Sequence, residues 1–206
     1  MSFVFPVQIR PLNISDGPNK IVYYPQAVKM NDQALENLIN QTIVSQTQEL
    51  INLQVGNMPT TVVEMIGLYE LKNNQRDVLS LSQSNYTYHY HAAHGMTFIK
   101  SLTFDLKEKQ LCELKDLFKP GSDYVKVLSD LIKIQIEQRD IPILGEFKEI
   151  KPDQDFYIAD KSLVIYFQLY EITPYVYGFP MFPISVYDLE YIIDENGPLG
   201  RMLASQ

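Results

Sequence analysis

The middle of the chain, residues 60–105, reads TTVVEMIGLYELKNNQRDVLSLSQSNYTYHYHAAHGMTFIKSLTFD. It holds three or four segments rich in β-branched and aromatic residues, separated by the turn-prone tetrapeptides NNQR (73–76) and AAHG (92–95). Consecutive strands joined by such short turns pair in the antiparallel sense. The stretch therefore predicts an antiparallel meander in the middle of the chain.

Two further strands and a long helix are predicted on the amino-terminal side. Residues 4–12 and 21–30 are β-rich runs on either side of the turn-prone NISDGPN. After them, Asn31 or Asp32 can cap a helix that reaches about residue 53 and packs across one sheet. Asn and Gln fill one face of this helix, and its apolar stripe is formed by Leu35, Leu38, Ile39, Ile43, Leu50 and Leu53.

The carboxyl-terminal side predicts a second helix and a hairpin. The helix covers about residues 123–139 and follows Pro120 and Gly121; its apolar face carries Val125, Leu128, Leu131, Ile132 and Ile136. Residues 156–172, FYIADKSLVIYFQLYEI, alternate as a hairpin with 160–162 at its tip, and a loop, a last strand and a short helix follow. Because β-rich blocks alternate irregularly with two long helices, we predict an α+β fold with antiparallel sheets. Two small halves, 1–107 and 108–206, are expected to pack as one unit.

The charge balance restricts the partners. The chain of 206 residues has a formal net charge of −8 and a pI near 4.9, which disfavours nucleic acid and anionic lipid and favours a basic protein. No apolar run is long enough for a membrane span, so we expect no membrane insertion. The first residues lack a signal-peptide pattern, which favours a cytoplasmic protein; an extracytoplasmic location is the alternative if the sequence is trimmed.

All three histidines, His89, His91 and His94, lie within six residues of one another. In an extended strand His89 and His91 would share one face, where they could chelate a metal, and His94 could approach the same point past a turn. The H-x-H spacing is common in strands, however, and no H-E-x-x-H motif or neighbouring carboxylate accompanies it. We therefore predict no metal site and no cofactor.

Motifs for catalysis are weak. Cys112 stands between leucines and is interpreted as a small buried apolar residue, since no histidine lies near it in sequence. There is no G-x-S-x-G, G-x-G-x-x-G or P-loop motif. A cluster of late carboxylates is interpreted as solvated surface; its members are Glu171, Asp188, Glu190, Asp194 and Glu195. We predict that the chain is not an enzyme, and the alternative is a metal- or carboxylate-dependent glycan hydrolase.

The loop PYVYGFPMFP (174–183) carries aromatic residues between prolines and a glycine. Aromatic side chains on such a restricted backbone lose little entropy in a complex, so they suit recognition of a sugar face or of a protein. A packed loop without a ligand is the alternative. The candidate anchors are Tyr175, Tyr177 and Phe179.

Several short motifs together resemble a pair of bacterial domains of unknown function. One group of these motifs spans residues 93–118 and consists of AHG at 93–95, Asp105-Leu106 and LKDLF at 114–118. In the second half they are Phe156-Tyr157, Tyr170-Glu171-Ile172, Pro174-Tyr175 and Gly178. The family includes the extracellular part of lysozyme-sensing anti-sigma factors of the RsiV type. It also includes the non-catalytic amino-terminal region of peptidoglycan deacetylases of the PdaC type.

This resemblance implies a non-catalytic binding or sensing module for a cell-wall glycan or for a basic protein such as lysozyme. Residues 1–107 would correspond to the PdaC-type half and 108–206 to the RsiV-type half. Family proteins are typically tethered outside the cell by an amino-terminal helix, and this sequence shows none, so a cytoplasmic interaction protein is a further alternative. The predicted binding residues are Tyr175, Tyr177, Phe179, Glu171 and His94, of which His94 matches the turn histidine of the family.

Overall fold

A computed structural model describes residues 5–203. A six-stranded sheet runs in the order β1 (Gln8–Ser15), β2 (Lys20–Val28), β3 (Val62–Gln75), β4 (Val78–His89), β5 (Met96–Asp105) and β6 (Gln110–Leu111). A three-stranded sheet consists of β7 (Phe156–Ala159), β8 (Ser162–Tyr166) and β9 (Met181–Ser185). The α-helices are α1 (Gln33–Val55), α2 (Tyr124–Gln138) and α3 (Pro198–Leu203). The predicted α+β class is confirmed.

The predicted meander is confirmed for β3, β4 and β5, which pair in antiparallel order. Two segments that the sequence presented separately, DVLSLSQ and the histidine stretch, form the single strand β4. The turn before β4 is Arg76-Asp77, both at positive φ, which is the geometry of a tight two-residue hairpin. One pairing departs from the antiparallel expectation: β2 and β3 are parallel over three residue pairs. Helix α1 supplies the crossover that a parallel pair requires.

Helix α1 begins as predicted, with the Asp32 side chain accepting a hydrogen bond from the backbone N–H of Leu35 at 3.0 Å. Its inner face packs against the six-stranded sheet and contributes Leu35, Ile39, Ile43 and Leu50 to the core. The prediction was wrong for Leu53, which is 51% exposed, and for Gln46 and Gln54, which are buried.

Both buried glutamines bind partners on the sheet. Gln46 Nε2 donates to Oε1 of Gln83 on β4 at 2.9 Å, and Gln54 Nε2 donates to the carbonyl oxygen of Met96 on β5 at 2.8 Å. Because a buried amide is tolerated where its hydrogen bonds are satisfied, these side chains lie inside the protein although they read as surface residues.

Side-chain amides also complete the edges of the sheet. The Asn40 amide binds both backbone groups of Ala27, accepting from its N–H at 2.8 Å and donating to its carbonyl at 2.9 Å. The Asn74 amide binds Val7 in the same two-sided way, at 3.1 and 2.7 Å. Each amide replaces a neighbouring strand for one residue, so backbone groups at these points are not left unpaired.

The second half is built around α2 and the three-stranded sheet. Helix α2 follows Asp123 and ends at Gln138, as predicted, and it buries Leu128 and Ile132 against a core that also includes residues of α3. The hairpin β7–β8 is confirmed, with Asp160 and Lys161 in its turn. A connector of irregular structure, residues 141–155, joins α2 to β7.

The two sheets pack together. The hydroxyl of Ser80 on β4 accepts a hydrogen bond from the backbone N–H of Ile158 on β7 at 3.0 Å. Arg201 of α3 reaches back to Asp105 at the end of β5, with 2.7 Å between Nη2 and Oδ1.

Within residues 5–203 no helix has the length and hydrophobicity needed to cross a membrane.

Candidate binding surface

The three histidines do not converge on one point. His89 ends β4, and its Nε2 donates to the carbonyl of Gln54 at 2.7 Å while Nδ1 is 2.7 Å from the Thr61 hydroxyl. His91 lies beyond the strand at φ 64°, so the expectation that it would share a strand face with His89 was wrong. In the part of the chain that the structure describes, no group of three or more His, Cys, Asp or Glu residues is arranged to hold a metal.

The third histidine, His94, belongs to a turn organised around the carbonyl oxygen of Gly95. This oxygen accepts a hydrogen bond from His94 Nδ1 at 2.8 Å and another from the Tyr175 hydroxyl at 3.0 Å. The rings of His94 and Tyr175 lie 4.3 Å apart and are tilted by 31°. On its other side Gly95 contacts the ring of Tyr86 so closely that a Cβ atom would lie 2.2 Å from Tyr86 Cε2. A glycine is therefore required at this position.

Tyr170 adds a third ring. Its centroid is 5.4 Å from that of Tyr175 and 6.4 Å from that of His94, and its hydroxyl is 3.3 Å from His94 Nε2. Tyr170 adopts φ 65°, a left-handed conformation that costs energy for a residue with a side chain. Such strain persists where the surroundings hold it, and it is common at binding sites. We call His94, Tyr170 and Tyr175 the aromatic cluster.

The predicted aromatic loop divides its side chains between surface and core. Tyr175–Tyr177 form one turn of 3₁₀ helix, in which neighbouring side chains point in different directions. Tyr175 joins the aromatic cluster, Val176 is 92% exposed, and Tyr177 packs against the carboxyl-terminal core. Phe179 is half-buried. The structure thus brings Tyr175 and His94 together but places Tyr177 away from them.

Glu171 lies next to the aromatic cluster, in the turn of residues 168–171. One of its carboxylate oxygens accepts from the backbone N–H of Gln168 at 2.8 Å, and the other accepts from Lys151 Nζ at 2.7 Å. The turn is anchored to the first sheet because the Gln168 amide binds both backbone groups of Ile99, at 3.1 and 2.7 Å. The same amide donates to Asp155 at 2.8 Å.

Two adjoining clefts open beside this turn. The larger, of about 440 Å³, lies between the connector and residues 167–172. The smaller, of about 260 Å³, reaches Lys100 on β5, and the two share Lys151, Gln154 and Glu171. Sequence reasoning missed Gln168, Lys151 and Asp155, because their partners are distant in sequence; Tyr170 was marked only by the family resemblance.

The other candidate groups for chemistry are either buried or spread over the surface. Burial raises the pKa of the Cys112 thiol to about 12, so the thiol is neutral at physiological pH. Asp188 and Glu190 are exposed, and Glu195 pairs with Lys119 at 3.4 Å. These late carboxylates do not adjoin the clefts beside Glu171.

Comparison with known proteins identifies part of the chain. Residues 115–187 match the model of a family described as "Protein of unknown function (DUF3298)". This part of the chain is therefore similar to the DUF3298 domain. The matched segment contains Lys151, Gln168, Tyr170, Glu171 and Tyr175, whereas His94 lies outside the match. No curated protein matches the sequence.

Solved structures of DUF3298 proteins share the fold over the whole length. One is a crystal structure of a DUF3298 family member from Bacteroides fragilis, with a TM-score of 0.73, 15% identity, and coverage of 98% of this chain and 99% of that chain. Another, from Pseudomonas aeruginosa PAO1, has a TM-score of 0.66, 15% identity and coverage of 99% of both chains. At such low identity the likeness concerns the fold alone. The fold of this chain thus recurs over nearly the whole length of both proteins.

Proposed function

We propose that the chain is a non-catalytic recognition module that binds a basic protein, of which lysozyme is the example implied by the RsiV-type resemblance. The observation that carries the proposal is the aromatic cluster with Val176 beside it. Val176 is 92% exposed on a short turn that follows Pro174 and is held by the hydrogen bond from Tyr175 to Gly95. Tyrosines are enriched at protein interfaces and among their hot spots, and the exposed Val176 adds apolar contact area beside them.

Ring geometry favours a protein over a glycan as the ligand. Stacking on a sugar requires a free aromatic face. In the aromatic cluster the rings face one another, with 4.3 Å between His94 and Tyr175 and 5.4 Å between Tyr170 and Tyr175. Contacts within the cluster thus use ring faces that a sugar would need, and the aliphatic Val176 adds an anchor for an apolar pocket on a protein.

Charge supports a basic partner. The chain carries a formal net charge of −8, so a basic protein would be attracted over distances of about one Debye length, roughly 8–10 Å at physiological ionic strength. We therefore expect an association rate that falls as salt is added. If the partner is a lysozyme, the module meets it outside the cytoplasm, and fractionation of native cells tests that location.

A non-catalytic role is supported by the state of the groups that catalysis would need. His89 has both ring nitrogens within hydrogen-bond distance of Thr61 and Gln54, and His94 donates from Nδ1 to a backbone carbonyl. Cys112 is held in its neutral form by burial. The rival hypothesis, a glycan hydrolase, predicts release of soluble sugars from purified peptidoglycan in the presence of divalent metal ions, and detection of such products would contradict our proposal.

Calorimetric titration with a C-type lysozyme tests the proposal. The variant Val176→Lys removes the apolar anchor, and the matched control Val44→Lys makes the same change on the exposed face of α1, where Val44 is 50% exposed. We expect Val176→Lys to weaken binding by about 30-fold, because it replaces apolar contact with a charge of the same sign as that of the basic partner, and Val44→Lys to change binding by less than about 3-fold. Both variants should keep the melting temperature of the parent protein.

Two results would overturn the proposal. One is the absence of lysozyme binding at low salt, and the other is equal weakening by the two variants. A parallel titration with soluble peptidoglycan fragments tests the glycan alternative. If the fragments bind, and if Tyr175→Phe or Val176→Lys weakens that binding, the surface recognises a glycan and not a protein.

A further inference from the structure

The two clefts beside Glu171 combine an apolar wall with an excess of negative charge. The wall is formed by Ile143, Leu144, Phe147, Phe167 and Ile172. The charged residues that line the clefts are Glu146, Glu149, Asp153, Asp155 and Glu171 on the acidic side, and Lys100, Lys148 and Lys151 on the basic side. The balance is therefore negative at a concave surface next to the aromatic cluster, and a cationic group is the ligand that this charge complements.

The two innermost carboxylates are fixed by the protein. Glu171 accepts the backbone N–H of Gln168, and Asp155 accepts the side-chain amide of Gln168, each at 2.8 Å. Their side chains are only 20% and 18% exposed. Since Gln168 is itself anchored to Ile99 on β5, the carboxylates keep their positions whether or not a cation is bound.

The lysines that neutralise these carboxylates are held much more loosely. Lys151 reaches Glu171 with a side chain that is 68% exposed, and Lys100 reaches Asp155 with one that is 41% exposed. Ion pairs with such exposed partners contribute little to stability. A fixed carboxylate whose internal counter-ion is exposed to solvent is a site where an external cation can replace the internal one.

We propose that the clefts bind an arginine side chain of the partner, which displaces Lys151 from Glu171; this inference rests on the proposed function. A guanidinium group matches the fork of a carboxylate and forms two hydrogen bonds where an ammonium group forms one. Its aliphatic stem packs on apolar walls such as those given by Ile143 and Ile172, and the group interacts favourably with aromatic rings, of which Phe147 lines the larger cleft. A lysine side chain gains less from each of these contacts.

The inference is tested with a single-residue probe, Nα-acetyl-arginine amide, followed by ¹⁵N NMR. The backbone N–H of Gln168 is the reporter because it donates directly to the Glu171 carboxylate. We expect saturable shifts of this signal in the millimolar range of probe, as suits a ligand of this size. The corresponding lysine amide should bind at least about 3-fold more weakly, and the neutral citrulline amide should give no saturable shift.

Two variants distinguish the displacement of Lys151 by arginine from non-specific attraction between the probe and the net negative charge of the protein. Lys151→Met removes the competing cation and keeps the aliphatic stem, so arginine binding should tighten by about 3-fold or more. Lys133→Met is the matched control, because Lys133 pairs with Asp130 on α2 and does not line the clefts, yet its loss changes the net charge equally. Glu171→Gln should weaken binding by about 10-fold.

The inference is overturned if citrulline binds as well as arginine, if lysine binds equally well, or if Lys151→Met and Lys133→Met have the same effect. Its failure is distinct from failure of the proposed function. If lysozyme binds and Val176→Lys weakens that binding, but the arginine probe shows no saturable binding, only the cleft inference is refuted. Arginine exchange without lysozyme binding upholds the cleft inference and refutes the choice of lysozyme as partner.

Discussion

Replacing Gly95 by alanine is the sharpest test of how the aromatic cluster is held. The added Cβ atom would lie 2.2 Å from Tyr86 Cε2 and 2.4 Å from both Cζ and the hydroxyl oxygen. An ordinary contact needs about 3.4 Å or more, so the ring of Tyr86 would have to move by about 1 Å. Tyr86 is not free to do so by a backbone shift, because β4 is paired on both sides, with Ile66 on β3 and Thr97 on β5.

Overpacking of this kind costs about 1–3 kcal/mol, and the upper half of that range is expected here because the obstacle is a ring within a paired strand. For a chain of 206 residues each kcal/mol corresponds to about 2–4 °C, so Gly95→Ala should lower the melting temperature by about 4–12 °C. Urea unfolding of the parent protein, of Gly95→Ala, of Tyr86→Val and of the double variant measures the coupling. Valine at position 86 leaves room for the new methyl group. The loss of unfolding free energy in the double variant should therefore be at least about 1 kcal/mol smaller than the sum of the losses in the two single variants. Additive effects, or a Gly95→Ala variant as stable as the parent protein, would show that the ring of Tyr86 does not restrict position 95.

Two further predictions concern parts of the fold outside the binding surface. Arg201→Met leaves the buried Asp105 carboxylate without its ion pair, so unfolding free energy measured in urea should fall by about 3 kcal/mol; an unchanged value would show that the contact between α3 and β5 does not stabilise the fold. The Cys112 thiol, with its pKa raised to about 12 from an ordinary 9.0, should resist alkylation by iodoacetamide at pH 8 in the folded protein and react once urea unfolds it. Since the folded pKa is the higher one, stability from the neutral thiol is fully present below about pH 9 and is lost as pH rises towards about 12, which urea titrations between pH 8 and 11 would detect.

The elements that depend on local sequence pattern, namely apolar periodicity, capping residues and turn signals, were predictable. The apolar stripe of α1 and the capping residue Asp32 define the start and inner face of that helix, and Leu53 alone in the stripe is exposed, close to the helix end. The strands of the meander follow from β-branched residues between turn signals. The turn between β3 and β4 lies at Arg76-Asp77 and not at the predicted NNQR (73–76). The two asparagines continue β3, and Arg76 and Asp77 adopt the positive φ of a tight turn.

Features that depend on distant partners were not predictable from local pattern. Gln46 reads as a surface residue because its partner, Gln83, lies 37 residues away on another element. The clefts likewise arise only when Lys151 and Glu171, 20 residues apart, meet beside Gln168. The same holds for the parallel pairing of β2 with β3, which follows from the path of α1 and not from the residues of either strand.

Hydrogen–deuterium exchange of the chain, with and without a saturating C-type lysozyme, locates the surface that the partner covers. The aromatic cluster and Val176 lie on two segments, residues 94–95 and residues 168–177. We expect slower exchange in these two segments and unchanged exchange along α1, because α1 packs on the face of the six-stranded sheet opposite to the three-stranded sheet. Protection confined to α1 or α2, or the absence of any protection at saturating lysozyme, would contradict this expectation.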